Sequence, residues 1–147
     1  MPVKPIPDGY RTVTPYLTIK GVREELAFLE KVFDAKVVEK HEMPDGSVAH
    51  AAVRIGDSML MFGEATEQWK AMPGGVYLYI PDVDAAYRRG LDAGGKSLMP
   101  PADQFYGDRQ GGFSSPGGNV WWVATHIEDV PPEEMERRAK EWSANKK

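Results

Sequence analysis

Two stretches of this chain repeat one another at a fixed spacing, and that repeat narrows the available folds more than any other feature. Tyr16, Leu17, Ile19 and Val22 recur as Tyr77, Leu78, Ile80 and Val83, each 61 residues later, and Gly56 recurs as Gly117 at the same distance. Phe33-Asp34-Ala35 aligns with Leu91-Asp92-Ala93 at 58 residues, so the register slips and then recovers. Self-similarity at one period marks a duplicated supersecondary unit.

The unit reads as β-α-β-β-β. Thr, Tyr, Val and Ile crowd residues 12–20, which predicts a strand. Val22, Leu26, Leu29 and Phe33 fall at helical spacing and predict a helix over 22–33. Strands are expected over 36–43, 47–55 and 58–63, with turns at Pro44-Asp45-Gly46 and Gly56-Asp57. The order then restarts with a strand over 76–80 and a helix over 83–93, stopped by Gly94-Gly95. A strand over 96–99 is expected to break at Pro100-Pro101. Strands over 110–115 and 120–125 follow, joined by Pro116-Gly117-Gly118-Asn119. A last helix over 132–142 opens on Pro131-Pro132, with Glu133-Glu134 in its first turn. The chain thus divides into a first module at 12–65, a linker at 66–74 holding Trp69, a second module at 75–130, and a C-terminal helix and tail at 131–147, all within one structural domain.

A chain of 147 residues is long enough to bury a core of its own. Its net charge of −4, with basic residues scattered except for Lys146-Lys147 in a tail expected to fray, leaves no footprint for nucleic acid. The absence of cysteine excludes disulfides, thiolate catalysis and Cys-ligated zinc. No apolar run approaches the roughly 18 residues of a membrane span. The proline-rich start, Met1-Pro2-Val3-Lys4-Pro5-Ile6-Pro7, lacks the apolar stretch of a signal peptide, which predicts an extended arm and a cytoplasmic protein without a membrane partner.

Particular residues carry a family resemblance over roughly 12–136. Thr14-Pro15-Tyr16-Leu17, Phe28 with Phe33-Asp34-Ala35, Pro44-Asp45-Gly46, His50-Ala51 and Ile55-Gly56-Asp57-Ser58 resemble the first half of a PhnB-like protein. Tyr106-Gly107-Asp108-Arg109, Pro116 with Gly118, Trp121 and Ala124-Thr125-His126-Ile127-Glu128-Asp129-Val130 resemble its second half. PhnB-like proteins are a branch of the vicinal oxygen chelate superfamily, the glyoxalase, bleomycin-resistance and extradiol dioxygenase group. The resemblance implies an α+β fold: two βαβββ modules forming a curled, incomplete β-barrel around a cavity, followed by a C-terminal helix. It also implies a homodimer. Superfamily enzymes commonly bind a divalent metal there through His and Glu on the first and last strands of each module.

Matched motif to motif, those ligand positions fall on Thr14, Met61, Gly75 and Trp122, which themselves obey the 61-residue repeat. A hard divalent cation takes carboxylate or imidazole, and none of the four supplies either. Asn119 stands where many PhnB-like relatives carry His, and Ser115 where they carry Asp. Of the three histidines, His41, His50 and His126, only His50 is expected to reach the cavity, with Glu64 ending a cavity strand. That is one or two donors where a catalytic site needs about three, so neither metal nor cofactor is expected.

Strand side chains alternate faces, so the ligand positions also set the parity. Tyr16, Tyr77, Tyr79, Met59, Met61 and Trp122 are expected to face the cavity. Counting across a two-residue turn pairs Arg54 with Met59 and places Arg54 and His50 on the same face; the same count across Gly117-Gly118 pairs Phe113 with Trp122 and adds Gly111 and Arg109. An aromatic, methionine-rich wall with arginines suits a planar or amphipathic anion. Each residue has a structural alternative. Rings and thioethers on an inner sheet face are often plain core, Asp108-Arg109 reads equally as a hairpin ion pair, and His50 as a hydrogen-bonded sheet residue. His126 with Glu128-Asp129 reads as an anchor for the last helix. The glycine pairs read as bulge and turn, lacking the strand–loop–helix context of a phosphate loop.

Three functions remain open at this level. The first is a small-molecule binding protein of the resistance or sequestration type. The second is a metal-independent enzyme with His50 or a tyrosine as acid–base group and Arg54 or Arg109 stabilising charge. The third is a structural or regulatory dimer whose cavity its own side chains fill.

Overall fold

The computed structural model describes residues 2–145; the Lys146-Lys147 tail lies outside them. The first module comprises β1 (Tyr16–Ile19), α1 (Val22–Phe33), β2 (Lys36–Glu42), β3 (Val48–Ile55) and β4 (Ser58–Glu64). The second comprises β5 (Gly75–Tyr79), α2 (Val83–Asp92), β6 (Lys96–Asp103), β7 (Asp108–Ser114) and β8 (Val120–His126), and α3 (Pro132–Asn145) ends the chain. Each module forms its own four-stranded mixed sheet, in the orders β1-β4-β3-β2 and β5-β8-β7-β6, with the first and last strands of the module paired in parallel. Neither sheet closes into a barrel.

The repeat reaches down to the helix caps. In α1 the Glu64 carboxylate at the end of β4 accepts from the Gly21 and Val22 amides at 2.9 and 3.0 Å. In α2 the repeat-equivalent Thr125 hydroxyl at the end of β8 accepts from the Val83 amide at 3.0 Å, while Asp82 accepts from Ala85. Each helix thus has orphan N-terminal donors satisfied by the last strand of its own module. Glu64, expected as a cavity group, is consumed in this way and points to the helix side.

One apolar core lies on the helix-bearing faces of both sheets. Leu26, Phe28, Leu29 and Val32 of α1 pack with Val53, Leu60 and Phe62 of the first sheet and with Phe113, Trp121 and Val123 of the second. Phe113 stacks on Phe33 at 6.1 Å and meets Phe28 edge-on at 5.9 Å. Gly90 in the last turn of α2 makes room for the Phe113 ring, since a Cβ there would overlap it. With the helix-bearing faces spent on this shared core, the opposite face of each sheet, here called the open face, turns outward.

Three expectations change. Strand β6 runs through Pro100-Pro101 instead of stopping there, because it is the sheet edge and its register shifts between Met99 and Ala102 accommodate residues without an N–H. The β7–β8 connection is longer than a two-residue turn: Ser114 pairs with Val120, and residues 115–119 form the loop. His126 is the last residue of β8; the contact holding α3 is made by Glu128, which accepts from Arg138 at 2.9 Å, with Trp142 against Phe105 at 5.6 Å. Among the described residues no helix is long and apolar enough to cross a membrane.

Candidate functional site

Strand β5 is the outer strand of the second sheet, and a cleft of about 610 Å³ runs beside it between the modules. Phe33, Ile55, Leu60, Val76 and Leu78 supply apolar walls, Arg89 a cationic group, and Tyr77 and Tyr79 stand on the open-face side. Alternation along β5 explains the division. Val76 and Leu78 turn to the core, while Tyr77 and Tyr79 turn the other way with ring centroids 5.3 Å apart.

Both tyrosines are tied down behind their rings. Their hydroxyls donate to the same Asp108 oxygen at 2.7 and 2.9 Å, and Asp108 is buried at the start of β7. His126, the cross-strand partner of Asp108, approaches the other carboxylate oxygen through Nδ1 at 2.9 Å and Asp129 through Nε2 at 2.7 Å. Burial pushes the Asp108 carboxyl upward, but hydrogen bonds from His126, Tyr77 and Tyr79 outweigh it and hold the acid below its ordinary range. Hydrogen bonds to Asp108, then Asp129, raise His126 and favour the imidazolium. Burial, followed by the Asp108 hydrogen bond, pushes the Tyr77 phenol well above its ordinary value; for Tyr79 the Asp108 bond itself is the main cause. The group is a closed hydrogen-bond network centred on the Asp108 carboxylate.

The open face of the first sheet is separate. The register Arg54↔Met59, Ala52↔Met61 and His50↔Gly63 places Arg54, Met59, Met61 and His50 on one face, as the two-residue turn predicts. Tyr16 lies over Gly63, where any Cβ would overlap its hydroxyl, and its ring meets His50 at 5.7 Å. Arg54 makes no ion pair among the described residues. Met61 shares a hollow of about 400 Å³ with Thr14, roofed by Pro5, Pro7 and Tyr10 of the N-terminal arm.

On the second sheet the expected facing of Phe113 and Arg109 is overturned. The longer β7–β8 loop moves the register by one residue, so Phe113 pairs with Trp121 and Gly112 with Trp122. A one-residue slip sends every side chain to the other face. Phe113 is therefore fully buried in the helix-side core. Arg109 turns the same way and pairs with Asp84 of α2 at 3.2 Å and with Asp103 at 3.1 Å; it makes no hairpin pair with Asp108. Gly112 instead lies beneath the Trp122 ring, and Trp122 neighbours Tyr77 across the β5/β8 pair. Sequence reasoning missed Asp108 as the anchor of the tyrosines for the same reason. The structure brings Tyr77, Tyr79 and Trp122 together, and leaves Tyr16, Arg54, Met59 and Met61 on the other sheet.

This architecture, and the motifs within it, agree with a family model. Residues 12–123 match that of the Glyoxalase/Bleomycin resistance protein/Dioxygenase superfamily. The chain belongs to that superfamily. An uncharacterized protein of Mycobacterium bovis, Mb0911c, is 30% identical over 135 residues, covering 84% of this chain and 89% of the relative. Among solved structures, TioX from Micromonospora sp. ML1 superposes with a TM-score of 0.68 at 20% identity, covering 80% of this chain and 99% of TioX. The fosfomycin resistance protein FosX from Listeria monocytogenes, solved with Mn(II) and 1S,2S-dihydroxypropylphosphonic acid, gives a TM-score of 0.60 at 18% identity, covering 86% and 94% of the two chains. These structural likenesses establish the shared fold.

A superfamily-type metal does not fit the residues at the matching positions. Thr14 and Met61 share the hollow under the arm, and Gly75 lies beside the Trp122 indole nitrogen, with room for a side chain between them. A hydroxyl, a thioether, a glycine and an indole N–H provide no carboxylate or imidazole.

Proposed function

We propose that this superfamily member is a binding protein for a small aromatic or amphipathic molecule bearing an acidic group, held in the cleft beside β5. The observation that carries the reading is the cleft itself. Its volume of about 610 Å³ falls in the range of small-ligand sites, and apolar walls face a few polar groups. Tyr77 and Tyr79 are already oriented by Asp108, so little side-chain freedom is lost when a planar ligand settles on their rings. Arg89 in the cleft supplies the fork for a carboxylate, sulfate or phosphoryl group. Within the superfamily we place the chain in the PhnB-like branch, on its Tyr106-Gly107-Asp108-Arg109 and Ala124-Thr125-His126 stretches. We further propose that it acts as a homodimer, because each sheet keeps one outward face bearing exposed rings, Tyr16 at 53% and Tyr79 at 65% exposure.

The same network weighs against tyrosine acid–base catalysis. A phenol that donates to a carboxylate gives up its proton reluctantly, because deprotonation sets two negative charges against each other. His126, with both ring nitrogens engaged by carboxylates, is likewise a poor proton acceptor.

The test is a fluorescence titration with anilinonaphthalene sulfonate, an aromatic anion. Saturable binding to the native chain is expected, weakened about tenfold or more in Tyr79→Ala and in Arg89→Ala, a loss equivalent to about 1.4 kcal/mol. Binding indifferent to both substitutions, or none at all, overturns the cleft assignment.

A further inference from the structure

We propose that the open face of the first sheet carries a binding site for a borderline divalent transition-metal ion such as Zn(II), built from Glu39, His41 and His50. The site lies apart from the cleft, and although Glu39 borders the hollow that holds Thr14 and Met61, none of its three donors is one of the four superfamily ligand positions, so it goes beyond the function proposed above.

The local structure of β2 assembles it. A register irregularity between Val37 and Glu39 leaves Glu39 opposite Ala52 and His41 opposite His50. Glu39 and His41 are two residues apart on one strand and so share a face. His50 is the direct cross-strand partner of His41, and opposed residues on an antiparallel pair share that face too. The result is two imidazoles and a carboxylate from two adjacent strands, with one ligand atom from each lying within 4.8 Å of the others. His41 Nε2 is 3.1 Å from Glu39 Oε1, and the two imidazole rings are 5.8 Å apart.

The chemistry of the donors selects the ion. Two imidazoles and one carboxylate form a three-ligand set that leaves a coordination position open, and metal–ligand distances of about 2.0–2.2 Å need only small side-chain rotations to draw these atoms together. Imidazole favours Zn(II), Co(II), Ni(II) and Cu(II); Mg(II) and Ca(II) prefer oxygen donors. Glu39 and His41 are exposed and His50 half-buried in the single chain, so an ion has direct access before a second copy covers this face. Tyr16, whose ring packs against His50, borders the site from β1. The sequence alone hides this arrangement, because the β2 irregularity that faces Glu39 and His41 toward His50 has no Gly or Pro to announce it.

The experiment uses the full chain, stripped with chelator and dialysed, titrated with ZnCl2 by calorimetry and with CoCl2 by visible absorption. One Zn(II) per chain is expected, with a Co(II) ligand-field spectrum of raised intensity. His41→Ala, His50→Ala and Glu39→Gln should each weaken Zn(II) binding by at least about tenfold, as losing a ligand exceeds the effect of losing an outer-shell partner. MgCl2 should give no heat. All three side chains are on the solvent-facing sheet surface, so unchanged circular dichroism will certify the folded variants. His126→Ala, which removes the histidine on the other sheet, should leave Zn(II) binding intact. The proposal fails if Zn(II) does not bind saturably, if the His41→Ala/His50→Ala double variant still binds it, or if binding disappears with His126. None of these outcomes depends on whether the cleft accepts an aromatic anion.

Discussion

Asp108 is the residue on which the second sheet's open face depends. It is 2% exposed, accepts from two phenols and meets an imidazole, so its charge is held by donors from β5 and β8. The His126 partnership gives stability a pH dependence whose sign follows from the two shifts. A histidine raised above its ordinary 6.5 contributes stability that is complete below that value and fades as pH rises through the raised one. A carboxyl held below its ordinary 3.8 contributes stability that is present above that value and fades as pH falls through the lowered one. Both partners are therefore charged in the mildly acidic range. The difference in melting temperature between the native chain and His126→Gln should be widest at about pH 5–6 and shrink toward pH 9. A difference that is flat with pH, or that widens with alkalinity, would show that the His126–Asp108 pair is not what the charge on His126 acts through.

At the level of elements, much of the architecture could be read from the repeat. The helix over 22–33 and the order β-α-β-β-β in both halves follow from apolar spacing and turn residues, and the first sheet's open face follows from a two-residue turn at Gly56-Asp57. The second sheet's face did not follow, because the Gly56–Gly117 match invites the same count across a loop that is longer. What the sequence does not announce is the tertiary cause of that loop. The carboxylate of Glu25, fully buried on α1, accepts from the Gly117 amide at 2.8 Å, from Asn119 Nδ2 at 2.9 Å and from the Ser115 hydroxyl. Ser115 in turn accepts from the Trp121 indole at 2.8 Å. A carboxylate from one module thus organises the loop of the other, and the residues at 115 and 119 serve packing between modules. Glu25→Gln keeps the size but points an amide N–H₂ at groups that are themselves donors. It should lower unfolding free energy by about 1–3 kcal/mol, the cost of leaving buried polar groups unpaired, as measured by urea denaturation. A variant as stable as the native chain would mean that the loop holds its shape without the carboxylate.

At the scale of the whole molecule, the decisive fact is which faces the two modules spend on each other. Their helix-bearing faces share one core, so a single chain cannot also turn both open faces inward against each other. A second copy related by a two-fold axis can cover both at once, since an isologous interface uses the same surfaces twice. Burying the Tyr16 and Tyr79 rings removes apolar area that one chain leaves in water. Sedimentation equilibrium at micromolar concentration should therefore report twice the mass of one chain. Tyr16→Glu, which puts a charge on the first sheet's open face at a residue that is already half exposed, should shift the mass toward that of a single chain while leaving the circular dichroism spectrum unchanged. The core beneath Tyr16 is supplied by Leu17 and Ile19, which face the other way, so loss of the dimer is separable from loss of the fold. If the native chain sediments as a monomer throughout, the outward faces are not used for self-association. The cleft beside β5 would then have to bind its ligand with the walls of one chain alone.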